Sequence, residues 1–196
     1  GISLYLVPRE YQGSPNGVCV TRIEEKLGIH ASPTCEVVFE DARGFLLGKK
    51  GSGVYHMFML MNNARLGVAG QALGILEAAK REALEYARQR RQFDTEIVNH
   101  GMVKEMLAEM QLVTELVRAV IYDAALARDF ERALKDQPDQ RMEQEANANR
   151  AAVLTPLIKY YATEQAVALT RTGLQVHGGV GYTTDFNAER HVRDSI

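Results

Sequence analysis

Tryptophan is absent, and the 196 residues include only 2 cysteines and 5 prolines. Cys19 and Cys35 are too few for a disulfide framework and lack the CxxC spacing of a zinc site. They read as free thiols in a reducing compartment. No apolar run is long enough to span a bilayer. The first residues, Gly1-Ile2-Ser3-Leu4-Tyr5, lack the basic start and long apolar region of a signal peptide. They resemble a strand already under way, and the chain is expected to be a fragment. Neither sign of charge dominates. A formal net charge of −2 gives no reason to expect binding to nucleic acid or to an anionic membrane. The paired Glu-x-x-His segments of a di-iron bundle are also missing. Glu96 and His100 are four apart, neither His177 nor His191 has a glutamate three residues before it, and no metal site is expected. No Gly-x-Ser-x-Gly elbow is present. What is there is an ordinary globular mix, 46% hydrophobic and 24% charged, in a chain long enough to bury a core without staples.

The composition changes near residue 52. Before it, β-forming residues cluster in Ile2 to Val7, Val18 to Ile23 and Cys35 to Phe39. Turn residues separate these runs, as in Gly13-Ser14-Pro15-Asn16-Gly17 and Ala31-Ser32-Pro33-Thr34. Short runs bounded by Gly, Pro, Asn and Ser predict strands. Three strands alone leave open edges, so they are expected to belong to a larger sheet beginning upstream. The expected domains are residues 1–52, part of a β-domain, and residues 53–196, a helical domain incomplete at its end.

After residue 52 the spacing becomes helical. Met57, Met61, Ala64, Val68, Gln71, Ile75, Ala78 and Ala79 predict the inner face of a helix over 54–91. Gly67, Gly70 and Gly74 within it suggest close helix packing or the approach of a ligand, since each disfavours a helix by about 1 kcal/mol relative to alanine. A second helix is predicted from Met102 to Leu134, with Met102, Met106, Met110, Val113, Val117, Val120, Ile121 and Ala124 inward. The polar stretch from Asp136 to Asn149 predicts a connector or a surface helix. A third helix is predicted to start at Thr155-Pro156, with threonine as N-cap and proline in the first turn. Its inward residues are Leu157, Ile158, Tyr161, Gln165, Ala168, Leu169 and Thr172, and Gly178-Gly179 ends it. A fourth begins near Asn187. Short connections between long helices predict a mainly α fold, an antiparallel four-helix bundle preceded by a few strands.

Three segments could carry chemistry. Arg88-Gln89-Arg90-Arg91-Gln92-Phe93 ends the first helix. Its arginines suit phosphate through paired N–H groups, or they complement the helix dipole. In Gln175-Val176-His177-Gly178-Gly179-Val180-Gly181-Tyr182, the glycines either admit a ligand close to the backbone or form a helix C-cap. This is neither a Rossmann fingerprint nor a P-loop, because a helix precedes it and no Gly-Lys-Ser/Thr follows. Glu189-Arg190-His191-Val192-Arg193-Asp194 has the charge spacing of a solvated, salt-bridged helix face.

Five segments, taken in order, resemble the acyl-CoA dehydrogenase family. They are Lys26 to Thr34 with Val37 to Asp41; Leu47-Gly48 through Gly51-Ser52-Gly53; Asn63 to Ala69; Tyr86 to Phe93; and Gln175 to Tyr182 with Glu189-Arg190 and Arg193-Asp194. The resemblance covers nearly the whole chain. It implies a C-terminal helical domain of that family and FAD as cofactor. It implies that Arg90, Arg91, Gln92, Phe93 and His100, together with Gln175, Val176, Gly178 and Gly179, contact FAD shared across a subunit interface. It places Asn62 and Arg65 beside the acyl-CoA thioester. A homo-oligomer, dimer or tetramer, is implied, with an electron-transferring flavoprotein as redox partner and a bacterial cytoplasm or mitochondrial matrix as compartment. The implied reaction is α,β-dehydrogenation of an acyl-CoA to the 2-enoyl-CoA. Its usual base, a glutamate, is expected shortly after Ile196, so no catalytic residue is expected within the chain. In members with the base on the first helix it precedes the residue matching Arg65, and here that residue is Ala64. The isolated chain is therefore expected to be inactive. An acyl-CoA oxidase and a non-catalytic scaffold on the same fold are the alternatives. The chain departs from the family at Asp94, where glycine is common, and at Glu96, Gly101, Asp185 and Asn187. Ser32-Pro33-Thr34 and the acidic stretch from Asp136 to Glu145 resemble larger bacterial members with a C-terminal extension.

Overall fold

Apolar runs broken by turn residues form strands in the first of two compact units, Gly1–Asn63, and helical spacing prevails in the second, Ala64–Ile196. The computed structural model describes residues 1–196. In the first unit the strands are β1 (Leu4–Leu6), β2 (Glu10–Tyr11), β3 (Ser14–Pro15), β4 (Val18–Ile23), β5 (Cys35–Phe39) and β6 (Phe45–Leu47). They pair antiparallel in twos: β1 with β6 (Tyr5 opposite Leu46), β2 with β3, and β4 with β5 (Cys19 opposite Val38). The predicted runs Val18–Ile23 and Cys35–Phe39 are present unchanged, and the first run shortens to Leu4–Leu6. Buried Asn16 ties the loops together. Its Nδ2 donates to the carbonyls of Pro8 and Arg43, each at 2.8 Å, and its Oδ1 accepts from the Arg43 amide at 2.9 Å. Gly17 is irreplaceable, because a Cβ there would lie 1.9 Å from the Glu40 carbonyl oxygen. The sheets bury little: Ile23 is 66% exposed and Phe39 58%.

The first helix, α1 (Gly53–Gln89), starts where the composition changes, yet the division between the compact units falls inside it. Its first turn is bound to the strand region, since the Gly53 amide donates to the Ile2 carbonyl at 2.8 Å.

In the second unit α1 continues to Gln89. It is followed by a hairpin of β7 (Arg91–Gln92) and β8 (Thr95–Glu96), then α2 (Gly101–Ala133), α3 (Arg141–His177) and α4 (Ala188–Ser195). This is the predicted antiparallel helical bundle. Arg118 of α2 pairs with Glu77 of α1. Arg150 of α3 reaches Asp123 of α2 at 2.6 Å. Gly173 of α3 sits against Met110 and Ala79, and a Cβ there would meet the Met110 Cε at 3.3 Å. The core is rich in alanine: Ala69, Ala79, Ala83, Ala124, Ala162 and Ala166 pack around Leu76, Met110, Val117, Ile158 and Leu169. No helix is long and apolar enough to cross a membrane.

Three expectations are corrected. On α1 the large residues Met57, Met61 and Val68 remain 45%, 40% and 37% exposed, while Ala69, Ala72, Leu73, Leu76, Ala79, Ala83 and Ala87 are buried. Close helix approach selects small side chains, so the buried stripe is not the one with the largest residues. Leu157 and Met102, expected inward, are exposed as well. The second correction is α3, which begins at Arg141 and runs through Pro156. Thr155 is no N-cap. Ala151, Thr155 and Ile158 form one buried stripe across the proline, and that packing sustains the helix despite the missing N–H. The third concerns Gly67, Gly70 and Gly74. Each is exposed, and a Cβ at any of them would meet no atom within 4 Å, so no part of this chain packs closely on them.

Candidate functional site

The last turn of α1 and the hairpin after it form one wall of a cleft. The Arg90 amide donates to the Tyr86 carbonyl at 2.9 Å, and the Ile97 amide donates to the Arg90 carbonyl at 2.8 Å. The hairpin thus folds back on itself immediately after Arg90. Its turn places Phe93 at φ 52° and Asp94 at φ 63°. Two consecutive left-handed residues are what a tight two-residue hairpin demands. Arg91 braces it, donating to the Glu96 carboxylate and to the Asp94 carbonyl, each at 2.8 Å.

The C-terminus of α3 forms the other wall. Gly178 stops the helix at φ 63°, its amide donating to the Gln175 carbonyl. Together the walls enclose about 430 Å³, lined by Tyr86, Arg90, Gln92 and Ile97 on one side and by Val176 through Val180 on the other. Tyr86, His177 and Phe186 pack as one aromatic cluster: Tyr86 stacks on His177 at 4.6 Å between centroids and meets Phe186 edge-on at 5.4 Å.

The structure therefore brings together Arg90, Gln92, Val176, Gly178 and Gly179 from two segments far apart in sequence. The other candidates lie elsewhere. Arg91 is engaged in the hairpin brace. Phe93, 89% exposed, caps the hairpin tip and meets His100 edge-on at 5.9 Å. His100 donates through Nε2 to the Gln92 carbonyl at 3.2 Å, which supports the cleft-lining strand from behind. Gln175 is exposed and does not line the cleft. Asn62 lies exposed on α1 in the first unit, and Arg65 half-buried on α1 in the second; neither lines the cleft. Sequence reasoning passed over Tyr86, Ile97 and Val180 as site residues, and reached His177 only as part of the Gln175-to-Gly179 segment. Tyr86 had a usable signal, since it precedes Arg90 by one helical turn.

The lining suits a phosphate-bearing ligand. The Arg90 guanidinium makes no ion pair or hydrogen bond within the chain, and no aspartate or glutamate lines the cleft. A Cβ at Gly178 or Gly179 would meet nothing within 4 Å, so these glycines leave open space that a side chain would fill. Gly181 differs: a Cβ there would lie 2.6 Å from the Leu174 carbonyl oxygen, which makes it a packing glycine. A guanidinium, a carboxamide and an open glycine backbone together fit the phosphate-linked part of FAD. No group of three or more His, Cys, Asp or Glu side chains is placed to hold a metal ion.

The third segment has a structural role. Glu189 accepts from Arg193 at 2.6 Å and 3.0 Å along α4, and this hydrogen bonding holds the Arg193 guanidinium above its ordinary pKa. His191 donates to Glu82 of α1 at 3.0 Å, and Asn187 donates to the same carboxylate at 3.3 Å, which docks α4 on α1.

Residues 51–195 match the family model of the acyl-CoA dehydrogenase C-terminal domain. The chain is 33% identical over 210 residues to the 3-methylmercaptopropionyl-CoA dehydrogenase of Ruegeria pomeroyi, covering 100% of this chain and 35% of that protein. Among solved structures it resembles butyryl-CoA dehydrogenase from Megasphaera elsdenii, with a TM-score of 0.77 and 33% identity over 91% of this chain and 43% of that one. It also resembles an acyl-CoA dehydrogenase complexed with FAD from Bacillus anthracis, with a TM-score of 0.85 and 28% identity over 98% of this chain and 33% of that one. The chain thus spans less than half the length of each of these three proteins.

Proposed function

The chain belongs to the acyl-CoA dehydrogenase family, and from that premise we propose that the whole protein is an FAD-dependent dehydrogenase converting an acyl-CoA to its 2-enoyl-CoA. The observation that carries this reading is the cleft in which Arg90, Gln92, Val176, Gly178 and Gly179 converge. In this reading Arg90 offsets phosphate charge through its planar N–H fork. Gly178 and Gly179 let the ligand lie against the backbone. The aromatic cluster of Tyr86, His177 and Phe186 shields one wall from water. Bound flavin would supply the redox chemistry by taking up the β-hydrogen as hydride. The α-proton needs a carboxylate base, and none lines this cleft. That role is assigned to the glutamate expected shortly after Ile196, so residues 1–196 alone are inactive in this reading. Asn62 and Arg65 are proposed to face the acyl-CoA. A homo-oligomer sharing cofactor sites and an electron-transferring flavoprotein as acceptor complete the proposal. The higher TM-score against the relative of which the chain covers a third supports a larger member of the family.

Arg90→Ala in the full-length protein tests the reading. Losing a charge-assisted bond to phosphate weakens FAD binding about tenfold to a hundredfold, measured by titration of the apoprotein. Arg90→Lys keeps part of the affinity. An unchanged dissociation constant in Arg90→Ala would remove the cleft from the cofactor site.

A further inference from the structure

Helix α4 has eight residues, too few to be stable alone. Ala188 is its one buried apolar side chain, so apolar burial does little to hold it. Its attachment to the bundle is polar. The Glu82 carboxylate of α1 accepts from Nε2 of His191 at 3.0 Å and from Nδ2 of Asn187 at 3.3 Å. The Ser195 and Thr170 hydroxyls meet at 3.0 Å, which ties the other end of α4 to α3. His191 is only 8% exposed. The space it shares with Glu82, Thr170 and His177 has no room for a water molecule. A His191 nitrogen deprived of its carboxylate would find no substitute there, and a buried donor left unpaired favours a shift of the helix over staying in place.

This attachment lies directly beneath one wall of the cleft. Tyr86 follows Glu82 by one turn of α1, and His177 follows Thr170 by two turns of α3. Phe186 immediately precedes Asn187, and its ring meets both Tyr86 and His177 at 5.4 Å. The segment that carries Phe186 is otherwise bonded locally, through the Thr183 hydroxyl to the Val180 carbonyl at 2.8 Å and to the Asp185 carboxylate at 3.2 Å. We propose that Glu82 and His191 are positioning residues of the cleft: their bond fixes α4, and α4, through Asn187 and Phe186, holds the Tyr86–His177 wall where the ligand binds. Neither residue lines the cleft itself. The inference rests on the FAD reading of the cleft and adds to it how one wall is kept in place.

The experiment titrates the full-length apoprotein with FAD in wild type, Glu82→Leu, His191→Leu and the double variant. Each single change leaves a buried polar group without its partner and raises the dissociation constant about threefold to tenfold. The double variant exchanges the polar pair for an apolar one, a replacement that buried pairs often tolerate, and returns the constant to within about twofold of wild type. Val117→Ala is the control. It opens the core at the level of the Glu77–Arg118 pair, away from the cleft. It lowers the thermal midpoint and leaves FAD affinity unchanged. Where Glu82→Leu does not fold, Glu82→Gln decides in its place, with a raised dissociation constant expected. Folded single variants that bind FAD like wild type overturn the inference and leave the cofactor reading standing. So does a double variant as weak as the single ones, or a Val117→Ala that weakens FAD equally. Failure of wild type to bind FAD at all overturns the cofactor reading, and this inference with it.

Discussion

Asp94 and Phe93 are both left-handed, at φ 63° and 52°, in the turn that aims Arg90 and Gln92 at the cleft. Glycine or asparagine suits such positions; other side chains crowd the backbone there. The hairpin holds because Arg91 grips the Asp94 backbone carbonyl and the Glu96 carboxylate. That grip does not need the Asp94 side chain. Asp94→Gly should therefore stabilise the protein by about 0.5–1 kcal/mol, with part of the strain relief offset by the freer unfolded chain. Denaturant titration checks this, and a loss of stability would show that the aspartate side chain contributes to the turn. At this scale the sequence was most informative where motifs were dense. Arg90, Gln92, Val176, Gly178 and Gly179 were named from the two segments that the fold joins. Arg91 was not separable from Arg90 in sequence, because only the turn geometry turns one guanidinium inward to the hairpin and leaves the other unpaired.

Elements were legible in number and order, less so in their buried faces. The strands Val18–Ile23 and Cys35–Phe39 and the span of α1 followed from composition and period. The hairpin of β2 and β3 and the strand β6 are too short to leave a period. The start of α3 misled because Thr-Pro is a good N-terminal signal, whereas tertiary packing of Ala151, Thr155 and Ile158 extends the helix backwards to Arg141. The proline costs stability there. Its missing N–H leaves the Ala152 carbonyl without its helical donor. Thr155 adds to this, as its buried hydroxyl has no partner, unlike Thr114 and Thr170, which donate to the carbonyls one turn back at 2.6 Å and 2.7 Å. Pro156 itself is exposed, so a smaller residue should create no cavity. Pro156→Ala is expected to raise stability by about 1–3 kcal/mol, measured by thermal or urea unfolding. Destabilisation would mean that the proline relieves some other constraint on α3.

Over the whole chain, the two units differ in how far they satisfy themselves. The helical unit buries a continuous alanine-rich core, and the strand unit leaves Tyr5, Val20, Ile23, Phe39 and Phe45 exposed on pairs of short strands. The change in composition near residue 52 located the start of α1, while the division between units lies further along that helix, a distinction set by tertiary contacts that no local pattern reveals. Family membership and the helical bundle were legible from five motif segments spread along the chain; which acyl-CoA the proposed reaction would take was not. The measurement that tests the account most directly is anaerobic titration of the full-length protein with acyl-CoAs of increasing length, followed by its visible spectrum. The account predicts a flavin band that bleaches with at least one of them, while residues 1–196 alone give no bleaching. A full-length protein that cannot be reconstituted with FAD, or whose flavin stays oxidised with every acyl-CoA, would contradict it.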